Sequence, residues 1–291
     1  MIDYGKLLTA MVTPFDEHNQ MDLNKTTELV EHLIANGSDG LVVAGTTGES
    51  PTLTHEEKIT LFKHVVKVVD GRVAVIAGTG SNNTQASIEL TKEAEQIGVD
   101  GALIVSPYYN KPNQEGLYQH HAAIANATNL PIMLYNIPSR AVVRLNVETV
   151  VSLSQIDNIV ALKDSTGDLD AISSIIDQVA EDFSVYSGDD SLTLPIQAVG
   201  GSGIVSVSSH IIGKEMKEMM VLFEQGNVKE ASKLHRKLLP TMRSLFMAPS
   251  PAPVKSALNN KGIAVGSVRL PLVPLSQIEE EQLFKVIDSI K

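Results

Sequence analysis

"IVALKDS", residues 159–165, puts a lysine at the end of an apolar run. Ile159, Val160, Ala161 and Leu162 carry the β-branched or apolar side chains of a short buried strand. Lys163 follows at once, with Asp164 and Ser165 behind it. Lysine is among the residues least often buried, because its ammonium loses hydration. A strand that stops on a cation needs a fold in which strand ends are where the polar groups gather.

Seven more apolar runs of this kind occur, giving strands expected at 8–12, 40–44, 73–77, 102–105, 132–135, 159–163, 184–186 and 203–207. Helical patterns lie between them. Leu23–Ala35 carries Leu29, Val30, Leu33 and Ile34 on one face. Thr54 with Glu57 forms a capping box that opens the next helix, and Gly37, Gly71 and Gly98 fall where helices should stop. Strand and helix alternating about eight times predict an α/β fold, a (β/α)8 TIM barrel. The competing open doubly wound sheet needs G-x-G-x-x-G after its first strand. Here "TPFDEHNQ" stands at that place, and "GTGSNN" (78–83) lacks the third glycine.

The alternation ends at Gly226. Residues 1–226 are expected to form the catalytic barrel and 227–291 a C-terminal helical extension packed on it. Pro-rich "MAPSPAPVK" (247–255) and "RLPLVPL" (269–275) divide that extension, and Ser276 with Glu279 caps its last helix.

Bulk composition narrows the function. A net charge of −11 repels polyphosphate, which argues against nucleic acid and anionic membrane as partners. The chain has no cysteine, which excludes disulfides, thiolate metal sites and thiol nucleophiles and fits a cytoplasmic enzyme. "MIDYGKLLTA" lacks the pattern of a signal peptide, and no apolar run reaches the ~18 residues of a membrane helix. The eight histidines show no zinc-binding spacing.

In a barrel of this type the chemistry sits at the C-terminal ends of the strands. Those ends read "GTTGES" (45–50), "GTGSNN" (78–83), "SPYYNKP" (106–112) and "YNIPSR" (135–140), then "KDS" (163–165), "SGDD" (187–190) and "SVSS" (206–209). All are rich in hydroxyls, glycine or charge, and the opposite strand ends show nothing comparable. A lysine held in such a rim is favoured as a free-amine nucleophile that forms Schiff bases with carbonyls. A structural lysine paired with Asp164 or another carboxylate is the weaker alternative. Tyr135 ends the neighbouring strand and can pass protons near an imine, although a core tyrosine capping the rim accounts for it almost as well. Thr46 and Thr47 offer hydroxyls and backbone N–H groups to a carboxylate from a glycine-flanked turn; an ordinary βα turn is the default for that motif alone. Arg140 suits a substrate carboxylate or a surface ion pair about equally. Glu49, Asp189 and Asp190 read as structural hydrogen-bonding groups.

"GTTGES", "SPYYNKP", "YNIPSR", "ALKDS" and "YSGDD", in that order and spacing, resemble the dihydrodipicolinate synthase family of pyruvate-dependent class I aldolases. The likeness extends along essentially the whole chain. It implies that Lys163 forms the Schiff base with pyruvate and that Tyr135 donates and accepts the protons. Thr46 would link Tyr135 to Tyr109, a residue the family supplies from the neighbouring subunit. Thr47 would hold the pyruvate carboxylate, and the backbone of Val205 would lie near the imine. Val205 stands where family members often carry isoleucine. Gly188 would leave room for the second substrate, L-aspartate 4-semialdehyde, and Arg140 would orient its carboxylate. The implied assembly is a homodimer or homotetramer, and the implied cofactor and metal are none beyond the lysine itself. N-acetylneuraminate lyases and keto-deoxy-sugar-acid aldolases share the lysine and tyrosine, but often have "GSTGE" and lack the arginine after "YNIP". A noncatalytic metabolite-binding barrel would not need lysine and tyrosine in one pocket.

Overall fold

Eight parallel strands close into a barrel in sequence order in the computed structural model of the protein. They are β1 (Leu7–Ala10), β2 (Gly40–Val43), β3 (Ala74–Gly78) and β4 (Gly101–Val105), followed by β5 (Ile132–Asn136), β6 (Ile159–Asp164), β7 (Ser184–Ser187) and β8 (Gly203–Ser206). All eight expected strands are present, with ends shifted by a residue or two. The structure describes residues 4–289, so the outermost ends of the expected divisions 1–226 and 227–291 lie outside the described residues. Among the described residues, no helix is long and apolar enough to cross a membrane.

Local chemistry accounts for the helices between the strands. The helix Leu23–Ala35 starts where the Asp22 carboxylate accepts from the backbone N–H of Asn24 and Lys25. The helix His55–Val69 opens with the complete Thr54–Glu57 capping box. Its end and that of Thr84–Ile97 turn through left-handed residues, Asp70–Gly71 and Gly98.

Alternation along each strand sorts the two cores. Leu8, Val42, Ile76, Leu103, Met133 and Ala161 fill the barrel interior, while Leu41, Val43, Ile104, Leu134 and Leu162 pack outward against the helices. On β6 that alternation carries Ala161 and then Lys163 to the inside. One irregularity matters here. The β5–β6 register runs Ile132↔Ile159 and then Met133↔Ala161, an extra residue at Val160. This bulge brings Tyr135 opposite Lys163; an unbroken register would have placed it beside Leu162.

Past Gly226 the chain forms helices Val228–Ser244, Ala252–Asn260 and Gln277–Asp288, the last opened by the Ser276–Glu279 capping box. Ala231, Leu238 and Met242 of the first pack into a cluster with Leu7 and Ile204 of the barrel and Met216, Met219 and Met220 of the preceding helix.

Candidate active site

The carboxyl ends of the strands surround a cavity of about 360 Å3. Lys163, Tyr135, Thr46 and Thr47 line it together with Arg140, Gly188 and Val205. Tyr109 does not. It stands 88% exposed on a left-handed backbone (φ 75°), while its neighbour Tyr108 lines an adjoining cavity of about 220 Å3 that shares Thr46, Tyr135 and Arg140.

Lys163 is 5% exposed, and its Nζ lies 4.1 Å from the centroid of the Tyr135 ring. Asp164 does not neutralise it. That carboxylate faces outward, accepting from Thr166 N (2.8 Å), Thr166 Oγ1 (2.6 Å) and Asn136 Nδ2 (3.2 Å). Burial raises the pKa of Asp164 and those hydrogen bonds oppose the rise. No carboxylate stands within ion-pair distance of Lys163 among the described residues. Lys163 Nζ is thus buried over a π face, without a counter-ion among the described residues, and it opens on the cavity.

The space beside Gly188 is already occupied. A Cβ there would lie 2.0 Å from Ser165 Oγ and 3.0 Å from Lys163 Cε, so the missing side chain accommodates the lysine stem and the serine hydroxyl. Beyond it, the buried Asp190 accepts from Ser206 Oγ (2.5 Å), Ser208 Oγ (2.8 Å) and Ser208 N (2.9 Å). Those bonds fix the chain just after Val205. Both oxygens of Asp190 are spent on this, which makes it a structural acid.

Thr46 and Thr47 sit in a turn closed by Glu49 N–H to Thr46 O (3.1 Å) and Ser50 N–H to Gly45 O (3.2 Å). Glu49 adopts a left-handed conformation (φ 57°), and its buried carboxylate meets Lys255 Nζ at 2.7 Å and the backbone N–H of Arg269 at 2.9 Å. Both partners come from the C-terminal extension. The turn that carries Thr46 and Thr47 is therefore tied to residues far along the chain, Lys255 and Arg269.

The extension also reaches the cavity, through Met242, Arg243, Phe246 and Ser250. Neither these nor Ser165 figured among the expected site residues. The first four are distant in sequence and follow no strand, and Ser165 is one small hydroxyl in a loop. His120 and His121 are buried but differently engaged, Nδ1 of the first with Thr84 Oγ1 (2.9 Å) and Nδ1 of the second with Leu117 O (2.8 Å).

The sequence model of the dihydrodipicolinate synthetase family matches residues 3–290. The 4-hydroxy-tetrahydrodipicolinate synthase of Oceanobacillus iheyensis is 58% identical over 290 residues, covering 100% of this chain and 98% of that protein. The synthase of Bacillus subtilis is 56% identical over 290 residues, covering 99% of this chain and 100% of that protein. The crystal structure of a dihydrodipicolinate synthase from Bacillus anthracis superposes with a TM-score of 0.99 at 60% identity, covering both chains completely.

Proposed function

The chain belongs to the dihydrodipicolinate synthetase family, and from that premise we propose that Lys163 is the amine on which its reaction is built. The protein condenses pyruvate with L-aspartate 4-semialdehyde through a lysine Schiff base to give 4-hydroxy-tetrahydrodipicolinate, the opening step of lysine and diaminopimelate biosynthesis. One observation carries the assignment to Lys163: a buried amine facing the cavity with no counter-ion.

The roles follow from position. Lys163 attacks the ketone of pyruvate, and the carbinolamine loses water to become an imine. Tyr135, whose ring underlies Nζ, moves the protons of these steps and of enamine formation. Thr47 and the turn's backbone N–H groups hold the pyruvate carboxylate, with the backbone of Val205 alongside the imine. The enamine carbon then attacks the aldehyde of the second substrate, whose carboxylate Arg140 orients. The substrate's own amine finally displaces Lys163 and closes the ring. Gly188 is required for the room it gives Lys163 and Ser165.

Thr46 connects Tyr135 to Tyr109 of a second copy. The exposure of Tyr109 outside its own cavity supports an exchange between subunits, hence at least a homodimer. A fully active monomer in sedimentation and rate measurements would remove that role. The C-terminal residues act as an extension held to the barrel, given the buried Lys255–Glu49 pair that joins them. The cysteine-free chain suits the reducing cytoplasm.

The test is chemical. Incubation with pyruvate and then borohydride should leave a reduced pyruvyl group on the peptide containing residues 159–165. An unlabelled protein, or a label on another lysine, ends this reading.

A further inference from the structure

Ser165 Oγ is buried and has no hydrogen-bond partner among the described residues. A hydroxyl removed from water and left unpaired is a cost that folding alone does not explain. Its setting is tightly determined. Ser165 N–H donates to Asn136 O (2.9 Å), Gly188 N–H donates to Asp164 O (2.6 Å), and Thr166 N–H donates to Asp164 Oδ1 (2.8 Å). The backbone on both sides of the serine is thus fixed by two other segments, the ends of β5 and β7, and by one bond within its own loop. Its hydroxyl lies against the Cα of Gly188, beside the last methylene of Lys163, in the wall of the reaction cavity.

Strand order places this hydroxyl relative to the rest of the site. Lys163 pairs with Tyr135 of β5 on one side and with Tyr186 of β7 on the other. Gly188 follows β7, so the Ser165 hydroxyl leans toward β7 beside Lys163, while its backbone N–H bonds to Asn136 O at the end of β5. The proposed proton transfers of the imine use Tyr135, and the pyruvate carboxylate is assigned to Thr47. No hydrogen-bond donor has yet been assigned to the negative charge that builds on the aldehyde oxygen before it is protonated.

We propose that Ser165 Oγ donates a hydrogen bond to the aldehyde oxygen of the second substrate as that oxygen becomes an alkoxide. This rests on the reading of Lys163 as the enamine-bearing residue. In the step itself the enamine carbon forms a bond to the aldehyde carbon. The C=O π pair moves onto oxygen, and the nitrogen lone pair regenerates the iminium on Lys163. The proton that neutralises the alkoxide is the one Tyr135 took from the pyruvyl methyl group. Ser165 gives up no proton; it stabilises the charge while it forms. Ser165 lines the same cavity as Lys163, and its hydroxyl has no partner among the described residues.

The two half-reactions separate the possibilities. Ser165→Ala should be trapped on Lys163 by pyruvate and borohydride at a rate within about twofold of wild type. Mixed with the semialdehyde after the enamine has formed, it should condense about 10- to 100-fold more slowly in a single turnover. Its melting temperature should be unchanged or higher, since the group removed has no partner. Ser165→Cys, close in size but a poor donor, should show the same split. Condensation at the wild-type rate in either variant overturns the proposal. So does trapping that slows as much as condensation, which would assign the hydroxyl to the lysine adduct instead. If wild-type protein is not labelled at Lys163, the Schiff-base reading fails first and this one falls with it.

Discussion

Two lysines are buried among the described residues, and they are opposites. Lys163 is 5% exposed and Lys255 is 1% exposed. Each ammonium sits over an aromatic ring, Lys163 at 4.1 Å from Tyr135 and Lys255 at 4.0 Å from Phe15. There the likeness stops. Lys255 meets the Glu49 carboxylate at 2.7 Å and donates to Ser267 O at 2.7 Å, in a place without access to the reaction cavity. Lys163 has neither a carboxylate nor a carbonyl partner among the described residues, and it opens on the cavity. Burial alone therefore does not separate the two lysines; their partners and their access to a void do. The two are also connected, because the carboxylate that holds Lys255 belongs to the turn that presents Thr46 and Thr47 to Lys163.

The sharpest way to break this comparison is to remove the amine that has no partner. Lys163→Ala should lose turnover by at least ~10^3-fold, since the covalent intermediate has no other place to form. It should remain folded with a near-native melting temperature, because the buried polar group it deletes has no ion-pair or hydrogen-bond partner among the described residues. Steady-state rates and thermal melts on the same preparation test both halves. A variant that keeps a tenth of its activity, or unfolds, would place Lys163 in the same class as Lys255.

The arginines repeat the contrast on a smaller scale. Arg269 is closed, paired through Nη2 with Glu57 Oε1 at 2.5 Å and stacked 4.3 Å from the same Phe15 ring. Arg140 lines the cavity and makes no ion pair among the described residues. Arg140→Ala should cost a charge-assisted contact of ~1.5–3 kcal/mol, roughly a 10- to 150-fold fall in kcat/KM for the semialdehyde. Borohydride trapping with pyruvate should be unaffected. If trapping fails as well, Arg140 serves the first substrate and its assigned role is wrong.

The open members of these pairs were legible in the sequence and the closed ones were not. Lys163, Tyr135, Thr46, Thr47 and Arg140 stand at or just after strand ends, where the barrel periodicity itself says polar groups meet. The eight strands were readable for the same reason, each being a short apolar run between turns. Lys255 sits in "PAPVKSA" (251–257), inside a helix of the extension, and nothing in that stretch announces a carboxylate 206 positions earlier as its partner. The bulge at Val160 is equally silent, because register is a property of two strands and the sequence prints one at a time. Ser165 escaped notice because one hydroxyl acquires meaning only from the partner it lacks.

A smaller change tests whether the closed pair supports the open one. Glu49→Gln should destabilise the protein by ~1–3 kcal/mol, the loss being limited because Lys255 can shed its proton. Turnover should fall several-fold through loosening of the Thr46–Thr47 turn. Adding Lys255→Met to Glu49→Gln should recover most of the stability, since the stranded cation is then gone. A double variant no more stable than Glu49→Gln alone would show that the two residues are not coupled.

The smallest effect expected is a pH dependence that belongs to Lys255. Burial pushes its pKa down from 10.5 to about 8, with Glu49 opposing the shift. In the unfolded chain the amine keeps its proton up to about pH 10.5, whereas in the folded protein it gives the proton up near pH 8. Between those values the unfolded state binds more protons, so raising the pH favours the folded state at this site. Going from pH 8 to pH 9 should add about 1 kcal/mol to the stability of wild type relative to Lys255→Met, in which the site cannot titrate. Denaturant unfolding of both proteins at the two pH values isolates this contribution, since the other titrating groups are shared and cancel in the difference. A difference that stays flat would mean that Lys255 keeps its proton through this range. The Glu49 pair would then be a permanent ionic tie, and the contrast with Lys163 would rest on access to the cavity alone.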